Sequence, residues 1–264
     1  MVMSIRKSYF DGSFYPAQAG EIERYIEAFD KVKHEVLHLK PAGMIVPHAG
    51  YVYSGFTANL AYTQLEPDRR RIIVIGPSHR VAYEGMSIAL YDEYETPLGN
   101  LAMDRAYAEG LKERFGIGFE EAMHREHSTE VQMPFIKRYC KYAKVIEIVY
   151  GRQDPEELSR VIEYLLQDAA NLVVISTDLS HFYSEDEANA LDSICLKAIA
   201  EEDIAMLHRG CEACGKIGVE AMVLAAKRLG LSSKLLDYRT SSWASHDTSS
   251  VVGYTSALFY REEP

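Results

Sequence analysis

Three histidines in this chain each follow a short apolar run of the kind that makes a buried strand. Gly43-Met44-Ile45-Val46 leads into Pro47-His48-Ala49-Gly50, and Arg71-Ile72-Ile73-Val74-Ile75 leads into Gly76-Pro77-Ser78-His79. Leu172-Val173-Val174-Ile175-Ser176-Thr177 leads into Asp178-Leu179-Ser180-His181. In an open α/β sheet, ligands bind in the crevice beyond the carboxyl ends of the parallel strands. Imidazole is a favoured ligand for iron, copper and zinc. His48, His79 and His181 are therefore expected to converge on one metal site. The plain alternative, histidines that merely cap strands, explains any one of them more easily than all three in matching contexts.

Cys214 is a fourth ligand candidate, directly before a helical pattern that opens at Gly215-Lys216. A thiolate there is stabilised by the free N–H groups and the dipole of the helix, and it binds soft and borderline metals. Cys211 makes a lone Cys-x-x-Cys with it, too little for a zinc ribbon but open to a redox disulfide. Cys140 and Cys195 fall inside helical patterns and read as core residues. In Glu126-His127-Ser128-Thr129-Glu130, His127 precedes a candidate N-cap, Ser128, and is a candidate general acid or base. A surface helix end is its other reading. Asp178 ends a buried run and could ligate, orient His181 or cap a turn; orientation of His181 is the role favoured. His34, His38, His124, His208 and His246 lack a strand-end setting and are assigned to surface or local hydrogen bonds. Ser78 lacks the second glycine of a hydrolase elbow. No dinucleotide or Walker-type loop is present.

The elements that must position these groups alternate between strand and helix, which predicts α/β layering with a central, mostly parallel or mixed sheet and helices on both faces. Helices are expected over residues 20–32, 57–65, 104–115, 155 onward, 185–200 and 215–229, and strands up to His48 and over 71–75, 86–90, 144–149, 171–177, 235–238 and 251–260. Asp154-Pro155-Glu156-Glu157 is a strong helix start, and Ser184 with Glu187 matches a capping box. Pro134 must kink the segment after Ser128 or delay its start. No repeat or linker divides residues 1–264, so one domain is expected.

A net charge of -11 argues against a nucleic-acid partner, because phosphate binding needs a Lys/Arg-rich face. The one basic run, Arg69-Arg70-Arg71, reads as a solvated loop. No apolar stretch approaches the roughly 18 residues of a membrane span, and residues 1–7 lack the apolar core of a leader. Four cysteines make no disulfide framework, so a reducing cytoplasm is the expected compartment.

Taken in order, Asp11-Gly12-Ser13-Phe14-Tyr15-Pro16, Pro47-His48-Ala49-Gly50-Tyr51, Gly76-Pro77-Ser78-His79, Tyr94-Glu95-Thr96-Pro97-Leu98-Gly99, Glu126-His127-Ser128, Asp178-Leu179-Ser180-His181 and Cys214-Gly215 resemble the Memo family over nearly the whole chain. The resemblance implies a fold similar to class III extradiol dioxygenases, non-haem iron enzymes that open catechol rings. It also implies a metal pocket of His48, His79 and Cys214, with Asp178 and His181 close by. The thiolate departs from the two-histidine, one-carboxylate set of those enzymes. Prokaryotic members are often encoded beside AMMECR1-like and radical-SAM proteins, which are the partners this context implies.

Two functions follow as expectations. The first is an oxidoreductase dependent on non-haem iron, or on copper, with His127 and His181 moving protons and Arg80 holding an anionic small molecule. The second is a non-catalytic phosphopeptide-binding module with a vestigial pocket, in which Tyr51, Tyr53 and Trp243 line a groove. Hydrolysis by zinc is weaker, since the thiolate and three histidines would fill a tetrahedron.

Overall fold

The computed structural model describes residues 3–32 and 34–262; Met1 and Val2, in the segment read for a leader, lie outside the described residues. In chain order the strands are β1 (Ile5–Arg6), β2 (Pro41–Val46), β3 (Arg71–Pro77), β4 (Met86–Ile88), β5 (Glu93–Tyr94), β6 (Leu101–Ala102), β7 (Lys144–Tyr150), β8 (Asn171–Ser176), β9 (His181–Tyr183), β10 (Ser232–Thr240) and β11 (Val251–Tyr260). The main sheet has the order β10-β11-β2-β8-β3-β7-β4, with β9 paired to the start of β11. Its centre, β2, β8, β3 and β7, is parallel. Antiparallel partners close both sides, β11 and β10 on one and β4 on the other. The expected α/β fold is thus present in its mixed form. Parallel strands require crossovers; the helix Tyr51–Tyr62 carries the chain from β2 to β3 and Pro155–Leu166 carries it from β7 to β8, each across one intervening strand.

Successive side chains on a strand point to opposite faces, and both faces are covered here. Ile45, Ile73, Ile75, Ile146, Ile148, Val173 and Ile175 pack toward the helices Pro155–Leu166, Glu185–Ala200 and Lys216–Leu229. Met44, Val46, Ile72, Val74, Val145, Leu172 and Val174 pack toward Ala19–Asp30, Tyr51–Tyr62 and Met133–Tyr139. Burial on two sides is why these strands read as unbroken apolar runs. The helix starts at 155 and 185 are as predicted: the Asp154 side chain accepts from Glu156 N–H, and the Ser184/Glu187 capping box is formed.

Three local expectations need correction. The helix placed at 57–65 instead spans Tyr51–Tyr62, with Gly50 at its N-cap, and Gly55 inside it makes room for the Phe29 ring. Glu126, not Ser128, caps the helix His127–Glu130, and Pro134 starts the next helix, Met133–Tyr139, late as expected. The basic run is not a solvated loop, for Arg71 pairs with Asp104 at 2.9 Å and Arg69 Nη2 donates to the Pro41 carbonyl at 2.7 Å. No helix among the described residues is long and apolar enough to cross a membrane.

Candidate metal centre

The carboxyl ends of β2, β3 and β8 deliver His48, His79 and Asp178 to one edge of the sheet, where the helix Lys216–Leu229 begins just after Cys214. Two glycines allow the close approaches. A Cβ at Gly215 would lie 2.7 Å from Thr177 Cβ, so only glycine lets this helix start abut β8; the Gly215 N–H donates to Thr177 Oγ1 at 2.8 Å. At Gly76 a Cβ would meet Ser128 Oγ at 2.6 Å, and its absence brings the Glu126-His127 segment against β3.

His48, His79 and Cys214 each offer one ligand atom within 4.8 Å of the others. His48 is buried, and its proton position follows from its neighbours. The Ser176 hydroxyl donates to the Ser128 carbonyl and accepts from Gln132 Nε2 at 2.9 Å. With its single proton spent, Ser176 Oγ must accept from His48 Nδ1, 3.1 Å away. That leaves the His48 Nε2 lone pair facing Cys214 Sγ at 3.4 Å. Burial, followed by the nearby imidazoles of His79 and His127, holds the His48 pKa well below the usual histidine range, so the ring is neutral as a ligand must be.

His79 stands partly open to solvent and is oriented by Glu126. Its backbone N–H donates to Glu126 Oε2 at 2.7 Å, and its Nδ1 lies 3.1 Å from Oε1. His127 Nδ1 lies 2.9 Å from the same oxygen. Burial opposes charge on both groups, yet contacts with His127 and His79 carry the Glu126 carboxyl far below its ordinary range. In His79, burial is likewise outweighed, by contacts with Cys214 and Glu126, and the pKa is pushed up to about 10. Without metal, His79 is therefore an imidazolium at neutral pH.

Cys214 is half-buried and free. Its backbone N–H donates to the Asp178 carbonyl at 3.2 Å, and the Asp178 N–H donates back to its sulfur at 3.3 Å. The Cys211–Cys214 pairing left open by the sequence does not occur: Cys211 is bonded to Cys195, which is thus more than a packing residue. Asp178 accepts the backbone N–H of His48 at 2.7 Å and that of Ala49, and acts on His181 only through space. Its buried carboxyl is raised above the ordinary range.

The remaining sequence candidates separate. His181, on β9, is half-buried beside the pocket and outside the 4.8 Å set, though close enough to act electrostatically on His48. Arg80 is exposed at the mouth, 5.4 Å from the Phe10 ring. Tyr51 is 2% exposed, stacks on Phe135 and donates its hydroxyl to the Val131 carbonyl, which places it in the core. Tyr53 and Trp243 are exposed, and Trp243 stacks on Phe56.

Sequence reasoning missed a second buried polar group behind the pocket. Arg6 pairs with Glu130 and reaches Glu147 at 3.8 Å, and its Nη2 donates to the Glu126 carbonyl at 3.2 Å. Glu147 also lies 2.9 Å from His124 Nδ1 and accepts from Tyr94 and Thr129. His124, assigned above to the surface or to local hydrogen bonds, takes the second role from a buried position, with its other nitrogen 2.9 Å from Ser87 Oγ. The available sign was Glu147 itself, a carboxylate in the middle of the apolar run Lys144–Tyr150.

A mixed sheet whose carboxyl edge gathers two imidazoles and a thiol defines an α/β protein with a strand-end donor set of nitrogen and sulfur. The sequence pattern of the family described as Memo-like protein matches residues 6–258, and the chain belongs to the Memo family. It is 32% identical to a MEMO1 family protein of Methanosarcina mazei, over 97% of this chain and 99% of that one. Similar values hold for MEMO1 family proteins of Thermoplasma volcanium, at 31% over 98% of this chain and 99% of that one, and of Aquifex aeolicus, at 30% over 97% and 100%. A crystal structure of an uncharacterized Escherichia coli K12 protein aligns with TM-score 0.56 at 10% identity, over 82% of this chain and 98% of that chain. That likeness speaks for the fold alone.

Proposed function

We propose that this chain is a metal-dependent oxidoreductase whose His48, His79 and Cys214 hold non-haem iron, or copper. The observation that carries the reading is the donor set: ligand atoms of those three residues, from segments far apart in sequence, lie within 4.8 Å of one another. The His48 lone pair, fixed by Ser176, supports it. Iron or copper bound there would supply one-electron redox chemistry and Lewis acidity. The chain's own residues do the rest. Glu126 holds the His79 ring, His127 stands beside it at 4.6 Å between ring centroids to hold or move a proton, and Arg80 presents a guanidinium at the mouth for an anionic group. Asp178 accepts the His48 N–H and donates its own N–H to Cys214 Sγ, and His181 acts on Asp178 through space. Metal analysis of protein purified without oxygen tests this. One equivalent of redox-active iron or copper is expected; protein that binds neither, or only redox-silent zinc, removes the oxidoreductase reading.

A second reading, peptide binding without catalysis, has one observation in its favour. An open cavity of about 750 Å³ lies between residues 12–18 and the starts of the helices Ala19–Asp30 and Tyr51–Tyr62, lined by Phe14, Arg24, Tyr25 and Tyr53. Phosphotyrosine-peptide binding by metal-free protein, undiminished in Cys214→Ser, would favour it.

A further inference from the structure

We propose that Glu126 is a positioning residue that holds the Nδ1 side of two rings at once, turning the Nε2 of His79 to the metal site and setting the tautomer of His127 so that its proton sits on Nδ1 and its Nε2 faces away from the carboxylate. This rests on the metal-site reading for His79 but not for His127. Glu126 is fully buried, and its carboxylate takes three hydrogen bonds, from the His79 N–H, His79 Nδ1 and the Ser128 N–H, with His127 Nδ1 as a fourth close nitrogen. Oε2 takes the His79 backbone N–H at 2.7 Å. Oε1 faces His79 Nδ1 at 3.1 Å, His127 Nδ1 at 2.9 Å and the Ser128 N–H at 3.1 Å. An ionised carboxylate only accepts, so His79 Nδ1 carries a proton, and a bare lone pair on His127 Nδ1 would face the same oxygen at 2.9 Å, which favours a proton there as well. A neutral imidazole with Nδ1 protonated carries its lone pair on Nε2. The His127 ring cannot swing away, because Phe14 stacks on it at 4.4 Å between centroids.

The carboxylate is itself held from behind. Arg6 Nη2 donates to the Glu126 carbonyl at 3.2 Å, and Glu126 caps the helix His127–Glu130. Two substitutions separate the cap from the ring-orienting role. Gln has one oxygen and an NH2, so whichever way it turns, a donor now meets a donor. Asp keeps the charge and suits an N-cap, but it is one methylene shorter and withdraws from the rings.

The experiment is nitrogen-15 NMR of the histidine rings at a pH where His127 is neutral, without metal and with zinc, on the wild type, Glu126→Gln and Glu126→Asp. In the wild type, His127 should carry its proton on Nδ1 with and without zinc. Glu126→Asp should move it toward Nε2 while keeping a melting temperature close to wild type, whereas Glu126→Gln, whose oxygen can take the place of Oε1 and turn its NH2 to the His79 backbone N–H, should keep it on Nδ1 at a cost in stability. Zinc affinity should fall roughly 10- to 100-fold, as expected when a group that orients a ligand is lost, with one equivalent still bound. A wild-type His127 protonated on Nε2 overturns the proposal whether or not the variants fold. So does an unchanged tautomer in Glu126→Asp, or a second zinc equivalent that Glu126→Gln abolishes, since the carboxylate would then be a ligand. The His127 signal in metal-free protein needs no metal site, so failure here is distinguishable from failure of the metal reading.

Discussion

Two buried polar regions lie back to back in this protein, joined through Glu126, and they are built to opposite ends. In the group of Arg6, Glu130, Glu147 and His124, charges meet partners on nearly every side. Glu130 accepts from Arg6, the Tyr9 and Phe10 N–H groups and the Tyr15 hydroxyl. Arg6 Nε is the group's one buried side-chain nitrogen or oxygen, among the described residues, without a hydrogen-bond partner. At the pocket, His48, His79 and Cys214 direct a lone pair, a ring and a sulfur at one another, with Asp178 Oδ2 4.0 Å from His48 Nε2. A satisfied network rigidifies the chain, whereas an unsatisfied one of soft and borderline donors leaves valence for a cation. The closed region holds the segment Glu126–Glu130 in place, and the open one uses it.

The largest expected effect is on the closed side. Removing one partner of a buried charge group typically costs about 3–5 kcal/mol, so Glu147→Leu should lose stability on that scale in urea unfolding. The folded fraction should still bind one metal equivalent. Loss of metal binding with stability intact would reverse the roles assigned to the two regions. On the open side the effect should fall on affinity. Cys214→Ser should weaken metal binding at least about tenfold, since a thiolate is traded for a hydroxyl. Cys140→Ala, a change at a thiol on the opposite side of the sheet's core, should leave affinity as it is. Titration of both under reducing conditions checks this, and equal affinity for Cys214→Ser and the wild type would strike the thiol from the site.

How far these regions could be read from sequence differs for a physical reason. Strand-end histidines were legible because a buried parallel strand announces itself by an unbroken apolar run, and topology then dictates which end carries ligands. Cys214 was legible from its place before a helix. His181 follows the same pattern, yet β9 turns off to pair with β11 and carries it out of the ligand set. The closed group was not legible, because its members meet across separations such as 124 residues between Arg6 and Glu130. Charged residues taken singly default to the surface, so neither the burial of His124 nor its Glu147 partner was readable, although local hydrogen bonding was. The cysteine pairing likewise depended on tertiary contact, with Cys195 rather than the nearer Cys214 reaching Cys211.

The acid–base behaviour of the open region gives a third test. The His79 pKa is raised to about 10 while that of His48 lies well below the usual range. Between pH 6.5 and about 10, a metal must therefore displace a proton from His79 but none from His48. Affinity should rise with pH across that window, and calorimetry near pH 7.5 in buffers of different ionisation enthalpy should show at least one proton released per metal bound. Release of none would mean that His79 is not a ligand. For the metal-free fold the sign is opposite. A raised histidine pKa contributes stability fully present below about 6.5 and lost as pH climbs through the folded value. The lowered pKa of Glu126 contributes above its ordinary carboxyl range and is lost on acidification. The metal-free protein should thus become less stable at the alkaline end, where metal binds best.

The smallest effect concerns strain, which lies at the open region and not in the closed group. Phe182, next to His181, has φ +66° with its side chain 77% exposed. A left-handed conformation costs a residue with a Cβ roughly 1–2 kcal/mol, and an exposed ring recovers little of that by burial. The pairings of His181 with Val252 and of Tyr183 with Val251 hold the backbone there from both sides. Phe182→Gly and Phe182→Ala remove the same ring, but only the first removes the Cβ. Glycine also loses more entropy on folding, by about 0.5–1 kcal/mol relative to alanine, so the net advantage of glycine should be at most about 1.5 kcal/mol. Thermal unfolding of the two variants should place Phe182→Gly above Phe182→Ala. If alanine is as stable as glycine, the turn beside His181 relaxes freely, and strain is not what sets the open region apart from the closed one.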